Sequence, residues 1–424
     1  MKASLWIANG QVVTTVGHST SPQVGPALGE IMRYPVGHVL VGEGKILLVT
    51  DNYAEAKARC DAQTEVVDAT DRLVLPGYVD CHTHLSFAGW RDHELPLRLA
   101  GRSYLDILAT GGGIISTVQK TRAASPSDLL ATVLATLDIM LLHGTTTVEA
   151  KSGYGLNLET ELKQLRVLRE AGTRHPVEVV RTFMGAHALP PEYKNAREEY
   201  IAIILDQMLP QVAAEGLAEF CDCFCENKAF TIDECRSILL RAKALGLGAK
   251  VHADEITPLG GALLAAEVKA VSAEHLIHAD REHLRAMAEA RVVAILLPAT
   301  SFILQTAKRA DVKSMLELGV AIAIATDYNP GTSPLPNMQL LQSFACFHYG
   351  LTPAQAFAAS TINAAHAIGR AKDVGSLEVG KQADIIIQKA PTLDFVPYHL
   401  GVNLVDTAIK SGKIVVNKGG CMYG

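Results

Sequence analysis

From about residue 73 onward, short apolar and β-branched runs alternate along the chain with amphipathic segments of helical period. Eight such runs occur, at 73–79, 145–150, 177–184, 218–225, 249–253, 273–277, 292–297 and 321–326. Between them lie segments with apolar residues at helical spacing, such as 158–169 and 231–245. Thr231-Ile-Asp-Glu234 has the form of a capping box ahead of the second of these. Pro258, before an alanine-rich run to Ala270, and Asp280, before 284–290, mark two further helix starts. Eight strands alternating with helices over roughly 250 residues match a (β/α)8 TIM-type barrel. A doubly wound α/β sheet is the alternative, but no G-x-G-x-x-G follows a strand, and Gly111-Gly-Gly113 reads as a loop.

The two ends have a different rhythm. Residues 5–14 and 38–49 alternate as strands separated by turns, and 383–388 and 413–416 are short strands beside glycines. Neither end is long enough to fold alone. The expected organisation is therefore one small β-sandwich-like domain assembled from 1–72 and 375–424, around a catalytic barrel at 73–374. The segment 17–37 has no periodicity and receives no element.

Composition narrows the partners. A net charge of −6 without a basic block argues against nucleic acid. No apolar run approaches the roughly 20 residues of a membrane span, and the opening Met-Lys-Ala-Ser-Leu-Trp-Ile-Ala-Asn-Gly lacks the apolar stretch of a secretory signal. Eight cysteines without a small-scaffold framework suit a reducing compartment, so a cytoplasmic enzyme is expected. Cys221, Cys223 and Cys225 alternate within a strand and are read as packed side chains, not metal ligands. The oligomeric state stays open, with a homodimer as the candidate.

The chemistry concentrates at strand ends. In Leu75-Pro-Gly-Tyr-Val-Asp-Cys-His-Thr-His-Leu85, His82 and His84 sit one residue apart and share a face, so both imidazoles can converge on one ion. The third strand ends at His187, the fourth at Glu226, the fifth at His252, the sixth at His275 and the eighth at Asp327. Residues at the carboxyl ends of barrel strands carry the barrel's chemistry. Three imidazoles and a carboxylate suit one zinc or iron(II) ion with a position open for water. Such an ion lowers the pKa of water towards neutrality, and Asp327 or Glu255, in His252-Ala-Asp-Glu255, could move the proton. Lys151 follows the second strand and is read as an ion-pair partner of Glu149, and His143, His175, His278 and His366 as structural.

The Pro76-Gly-Tyr-Val-Asp-Cys-His-Thr-His84 segment resembles the first strand of the amidohydrolase superfamily. Gly144-Thr-Thr-Thr-Val-Glu-Ala-Lys-Ser-Gly-Tyr-Gly155, Thr182-Phe-Met-Gly-Ala-His-Ala188, Phe220-Cys-Asp-Cys-Phe-Cys-Glu226 and Ala325-Thr-Asp-Tyr-Asn-Pro-Gly-Thr-Ser333 are, with it, similar to the imidazolonepropionase family. The similarity runs from about residue 70 to 415. It implies a metal held by His82, His84, His252 and Asp327, and substrate contacts from Arg91, Tyr154, His187, Glu255, Asn329, Gly331 and Thr332. The implied reaction is hydrolytic opening of 4-imidazolone-5-propionate to N-formimidoyl-glutamate, a step of histidine degradation. In it Asp327 takes a proton, His275 polarises the carbonyl or shuttles a proton, and Glu255 serves the ring nitrogen. Arg91 is alternatively a surface partner of Asp92 or Glu94, and Tyr154 and Tyr104 alternatively fill the barrel mouth. Dinuclear members of the superfamily place a carboxylated lysine at the end of the fourth strand, where this chain has Cys225-Glu226, so a single ion is expected. The competing readings are a deaminase of a heterocyclic base and a non-catalytic scaffold.

Overall fold

The apolar run that begins at Leu73 divides at Gly77, and the division separates two sheets. Leu73–Pro76 joins the sheet built by the chain ends, whereas Tyr78–Asp80 starts the barrel. A Cβ at Gly77 would lie 2.2 Å from Thr146 Oγ1, so the crossing passes where no side chain fits. The expected first strand, 73–79, is therefore two strands with different partners.

This computed structural model describes residues 2–102 and 112–423. Tyr104 and Gly111 lie outside the described residues. Eight parallel strands form the barrel: β1 (Tyr78–Asp80), β2 (Thr145–Lys151), β3 (Glu178–Ala186), β4 (Phe220–Cys225), β5 (Gly248–Ala253), β6 (Ser272–His275), β7 (Val293–Leu296) and β8 (Ile322–Ile324). They pair in chain order. The ring closes beyond the named ends of β1 and β8, where Thr83 bridges Tyr328 in parallel. There Asp327 N–H donates to His82 O at 3.0 Å and His84 N–H to Tyr328 O at 2.8 Å. Closure thus occurs through the residues that carry the chemistry.

The helices follow local rules. Ile232–Ala244 opens with the reciprocal Thr231/Glu234 capping box, and Arg281–Ala290 is capped by Asp280. One start differs from expectation: the helix after β5 begins at Gly261, not beside Pro258. The Asp254 carboxylate accepts the N–H groups of Gly260, Gly261 and Ala262, which fixes the first turn there.

The chain ends form one mixed sheet of nine strands. Leu5–Thr14 pairs antiparallel with Met32–Gly42 and parallel with both Glu65–Asp68 and Leu73–Pro76. Leu73–Pro76 pairs antiparallel with Ile385–Gln388, which unites the two ends of the sequence. Their shared apolar face includes Ile7, Val39, Val41, Val74, Ile385 and Ile409. Of the unassigned segment 17–37, the last six residues belong to a strand. The remainder runs beneath the barrel, where Val24 bridges Ala321 at the amino end of β8. Asn363 holds it there, accepting from Gln23 N–H and donating to Gln23 O and Ile322 O. Side-chain hydrogen bonds fix this stretch, which is why it shows no hydrophobic period.

Candidate active site

At the carboxyl end of the barrel, one ring nitrogen each from His82, His84 and His252 lie within 4.8 Å of one another. Asp327 Oδ1 completes the group, 3.4 Å from His82 Nε2 and 3.6 Å from His84 Nε2. Both nitrogens of His82 and Nδ1 of His84 are buried without a hydrogen-bond partner. Buried polar atoms are ordinarily satisfied. Orphaned imidazole nitrogens converging on a carboxylate are the arrangement a divalent ion satisfies, and the donor set suits one. Asp327 is turned inward by a left-handed backbone, φ 51°, and its other oxygen, Oδ2, accepts from Thr300 Oγ1 at 2.7 Å.

His275, also left-handed at φ 68°, faces Glu255, with 3.6 Å between Nε2 and Oε2. His187 stacks on His84 at 5.0 Å and 18°, and its Nδ1 lies 3.0 Å from Gly153 O. The Tyr154 ring stands 5.8 Å from that of His84. These side chains, with Arg91, Asn329 and Thr332, line a cavity of about 300 Å³. Nearly every sequence-derived site residue is therefore in one place. Gly331 lines no wall itself but lies against Arg91.

Buried carboxylates and amides hold the loops. Glu161 accepts the N–H groups of Gly153, Gly155 and Leu156, while Gln164 accepts that of Tyr154, fixing the loop after β2. Glu226 accepts from Ile256 N–H, Thr257 N–H and Thr257 Oγ1, so it anchors the loop that carries Glu255. Asn329 Oδ1 accepts from Gly331 and Thr332 N–H at 2.9 and 2.7 Å, shaping the turn after Asp327.

Arg91 is only 5% exposed. Its Nε lies 3.7 Å from Glu94 Oε2, so one of the alternative pairings exists, but in the interior and not at the surface. Glu94 also accepts from Arg98 Nη2 at 2.8 Å and from Gly113 N–H at 2.6 Å. A Cβ on Gly331 would fall 1.3 Å from Arg91 Nη2. Gly331→Ala is accordingly expected to displace the guanidinium and to lower kcat/KM as far as loss of Arg91 does, with thermal stability changed by about 1 kcal/mol or less. A Gly331→Ala enzyme with parental kcat/KM would separate Arg91 from this contact.

Burial dominates the electrostatics. It holds His82, His84 and His275 well below the ordinary imidazole value, helped at His82 by the charge of Lys151 and at His84 and His275 by the crowding of neighbouring imidazoles that cannot all be protonated. His187 is pushed down to about 3 for the same reason. Two of the three candidate ligand imidazoles, His82 and His84, are thus held neutral, as an ion requires, whereas at His252 burial is outweighed by the charge and contact of Asp222, which raise the pKa. Burial, then the charge of Asp327, raises Glu255 to about 8. Asp327 itself is raised by burial to about 6.

Several participants escape sequence reasoning. Thr300 comes from the helix after β7, and Ile114, Phe224, Ile256 and Leu304 supply apolar wall. Such residues carry no spacing signal, since their place depends on how distant loops meet. Lys151 pairs with Glu149 at 2.7 Å as expected, and also with Asp222 at 2.8 Å. His175 and His366 make structural hydrogen bonds, to Asp138 and to His18 O.

Comparison with known proteins accords with this geometry. The model of the amidohydrolase family matches residues 73–415. The imidazolonepropionase of Symbiobacterium thermophilum is 50% identical over 421 residues, covering 98% of this chain and 97% of that protein. That of Geobacillus kaustophilus is 49% identical over 96% of this chain and 97% of its own length. Among solved structures, an adenosine deaminase from Xanthomonas campestris superposes with a TM-score of 0.72 at 19% identity, covering 99% of this chain and 94% of that one. A triazine hydrolase variant superposes at 0.75 with 14% identity over 99% and 96%. These last two show the shared fold.

Proposed function

The chain belongs to the imidazolonepropionase family of amidohydrolases, and from that premise we propose that its cavity opens the ring of 4-imidazolone-5-propionate by hydrolysis, giving N-formimidoyl-glutamate. The observation that carries the reading is the cavity's mixed lining. A buried guanidinium, Arg91, shares it with His84, His252 and Asp327 of the converging cluster. A small, neutral heterocycle bearing one carboxylate matches that lining.

His82, His84, His252 and Asp327 would hold one zinc or iron(II) ion. Bound there, the ion supplies an acidified water and a Lewis acid for the lactam carbonyl. The protein's own groups do the rest. Arg91 takes the propionate carboxylate, and Tyr154, Asn329 and Thr332 shape the wall around it. His275, held neutral by burial, donates to the ring's oxygen and nitrogen edge, and His187, whose Nδ1–H is given to Gly153 O, accepts from a ring N–H at Nε2. Asp327 accepts the proton released by the attacking water, and Glu255 returns a proton to the nitrogen that leaves. The eight free cysteines support action in the cytoplasm, and among the described residues no single helix is long and apolar enough to cross a membrane.

Turnover of freshly prepared imidazolone propionate, with metal analysis of the same sample, tests the reading. Ring opening with about one equivalent of metal per chain supports it. Release of ammonia from a heterocyclic base, with no ring opening, would transfer the chain to the deaminase reading. Arg91→Ala and Arg91→Lys should each lower kcat/KM, because lysine replaces a bidentate fork with a point charge. The loss of an ionic hydrogen bond of this kind is about 2–3 kcal/mol, or roughly 30- to 150-fold. Unchanged kcat/KM in both variants would leave Arg91 without a part in binding.

A further inference from the structure

Beneath the histidines, charge fills the barrel where hydrocarbon usually does. Glu149 and Lys151 of β2, Asp222 of β4, Lys250 of β5 and Glu274 of β6 are all fully buried. Lys151 Nζ lies 2.7 Å from Glu149 Oε1 and 2.8 Å from Asp222 Oδ2. Asp222 in turn meets His252 twice: Oδ1 accepts the backbone N–H at 3.2 Å, and Oδ2 lies 3.0 Å from ring Nδ1, an ion-pair approach not yet in line for a hydrogen bond. A buried ion cluster is generally no more stabilising than well-packed side chains of the same volume. Stability alone does not explain why it sits directly under one of the three converging imidazoles.

We propose that Asp222 is a positioning residue for the metal site: its carboxylate, pinned by the Lys151 ammonium, keeps the His252 proton on Nδ1 and so presents an unprotonated Nε2 to the ion. A neutral imidazole carries one N–H, and an ionised carboxylate can only accept, so contact with Asp222 selects the tautomer. The backbone hydrogen bond to the same carboxylate fixes where His252 stands on β5, and the ring contact fixes how it is turned. Lys151 belongs to the device through Asp222: placed between two carboxylates, it keeps Oδ2 anchored on the side facing Nδ1. The partner of a metal-bound histidine typically changes metal affinity by 10- to 100-fold when removed.

The inference rests on the metal reading of His82, His84, His252 and Asp327, and the experiment separates the two. In Asp222→Asn the side chain keeps its shape, but an NH2 replaces one oxygen: at the Oδ2 place it faces both Lys151 and Nδ1, and at the Oδ1 place it faces the His252 backbone N–H. Either placement breaks one of the two contacts that hold His252, and with the NH2 at the Oδ2 place the ring must carry its proton on Nε2, the position the ion needs. Metal affinity, read by chelator competition with zinc as the probe, should weaken 10- to 100-fold. The metal-free parent, labelled with 15N-histidine and assigned with His252→Gln, should show His252 as the Nδ1–H tautomer. An Nε2–H tautomer in the parent overturns the proposal even if Asp222→Asn fails to fold. Parental zinc affinity in a folded Asp222→Asn overturns it as well. His82→Ala, measured alongside, reports on the underlying reading: if it too keeps parental affinity, the metal site itself is misplaced.

Discussion

His82→Ala abolishes tight metal binding and turnover while the barrel still folds. His82 is completely buried, neither ring nitrogen has a hydrogen-bond partner, and Nε2 faces Asp327 Oδ1 at 3.4 Å. The imidazole therefore contributes little to the metal-free fold beyond its packing, and its removal takes one donor from four. The pH dependence of stability gives an independent readout. Burial holds the folded-state pKa of His82 well below the ordinary value, so in acid the unfolded chain binds a proton that the folded chain refuses. The metal-free parent should lose stability as pH falls below about 6.5, the unfolded histidine value, and His82→Ala should lose less of it. Metal content per chain, kcat and Tm from pH 5 to 8 check the three expectations. A variant with the parent's metal content and rate would place the ion elsewhere.

Much of this is legible in the sequence alone. The alternation of strands and helices, the capping residues Thr231 and Asp280, and the histidines and Asp327 at strand ends are local signals, set by period and position along one stretch of chain. Where the structure departs from expectation, a distant partner is responsible. The run at 73–79 divides because Gly77 must pass Thr146 and because Leu73–Pro76 finds its partner at Ile385–Gln388. The helix expected beside Pro258 starts at Gly261 because the Asp254 carboxylate gathers three N–H groups there. The site shows the same limit. Ligands and acid–base groups announce themselves by type, and Glu226 by its place at a strand end, whereas Glu94, Glu161 and Asp222 look like ordinary acidic residues. Their work lies in which backbone N–H or ring nitrogen they meet across the barrel, and no spacing rule encodes that.

Glu255→Gln keeps its metal and lowers kcat/KM by roughly 100-fold or more, the usual scale for a positioned acid or base. Glu255 lies on the loop after β5, three residues beyond His252, and lines the cavity without joining the ligand cluster. Glu226 fixes its loop through Ile256 and Thr257, so the amide should occupy the same place. Burial and the charge of Asp327 raise the carboxyl to about 8, which leaves it protonated at neutral pH and ready to donate. His275, 3.6 Å away, is the rival, but burial holds it far below its ordinary value, so it carries no surplus proton to give. The two assignments differ in sign as well as in size. If Glu255 is the donor, kcat/KM falls as pH rises through its pKa, and the residual activity of Glu255→Gln lacks that alkaline limb. If Glu255→Gln turns over like the parent and keeps the limb, Glu255 has no part in the proton transfer, and His275, donating from its neutral ring, takes the role.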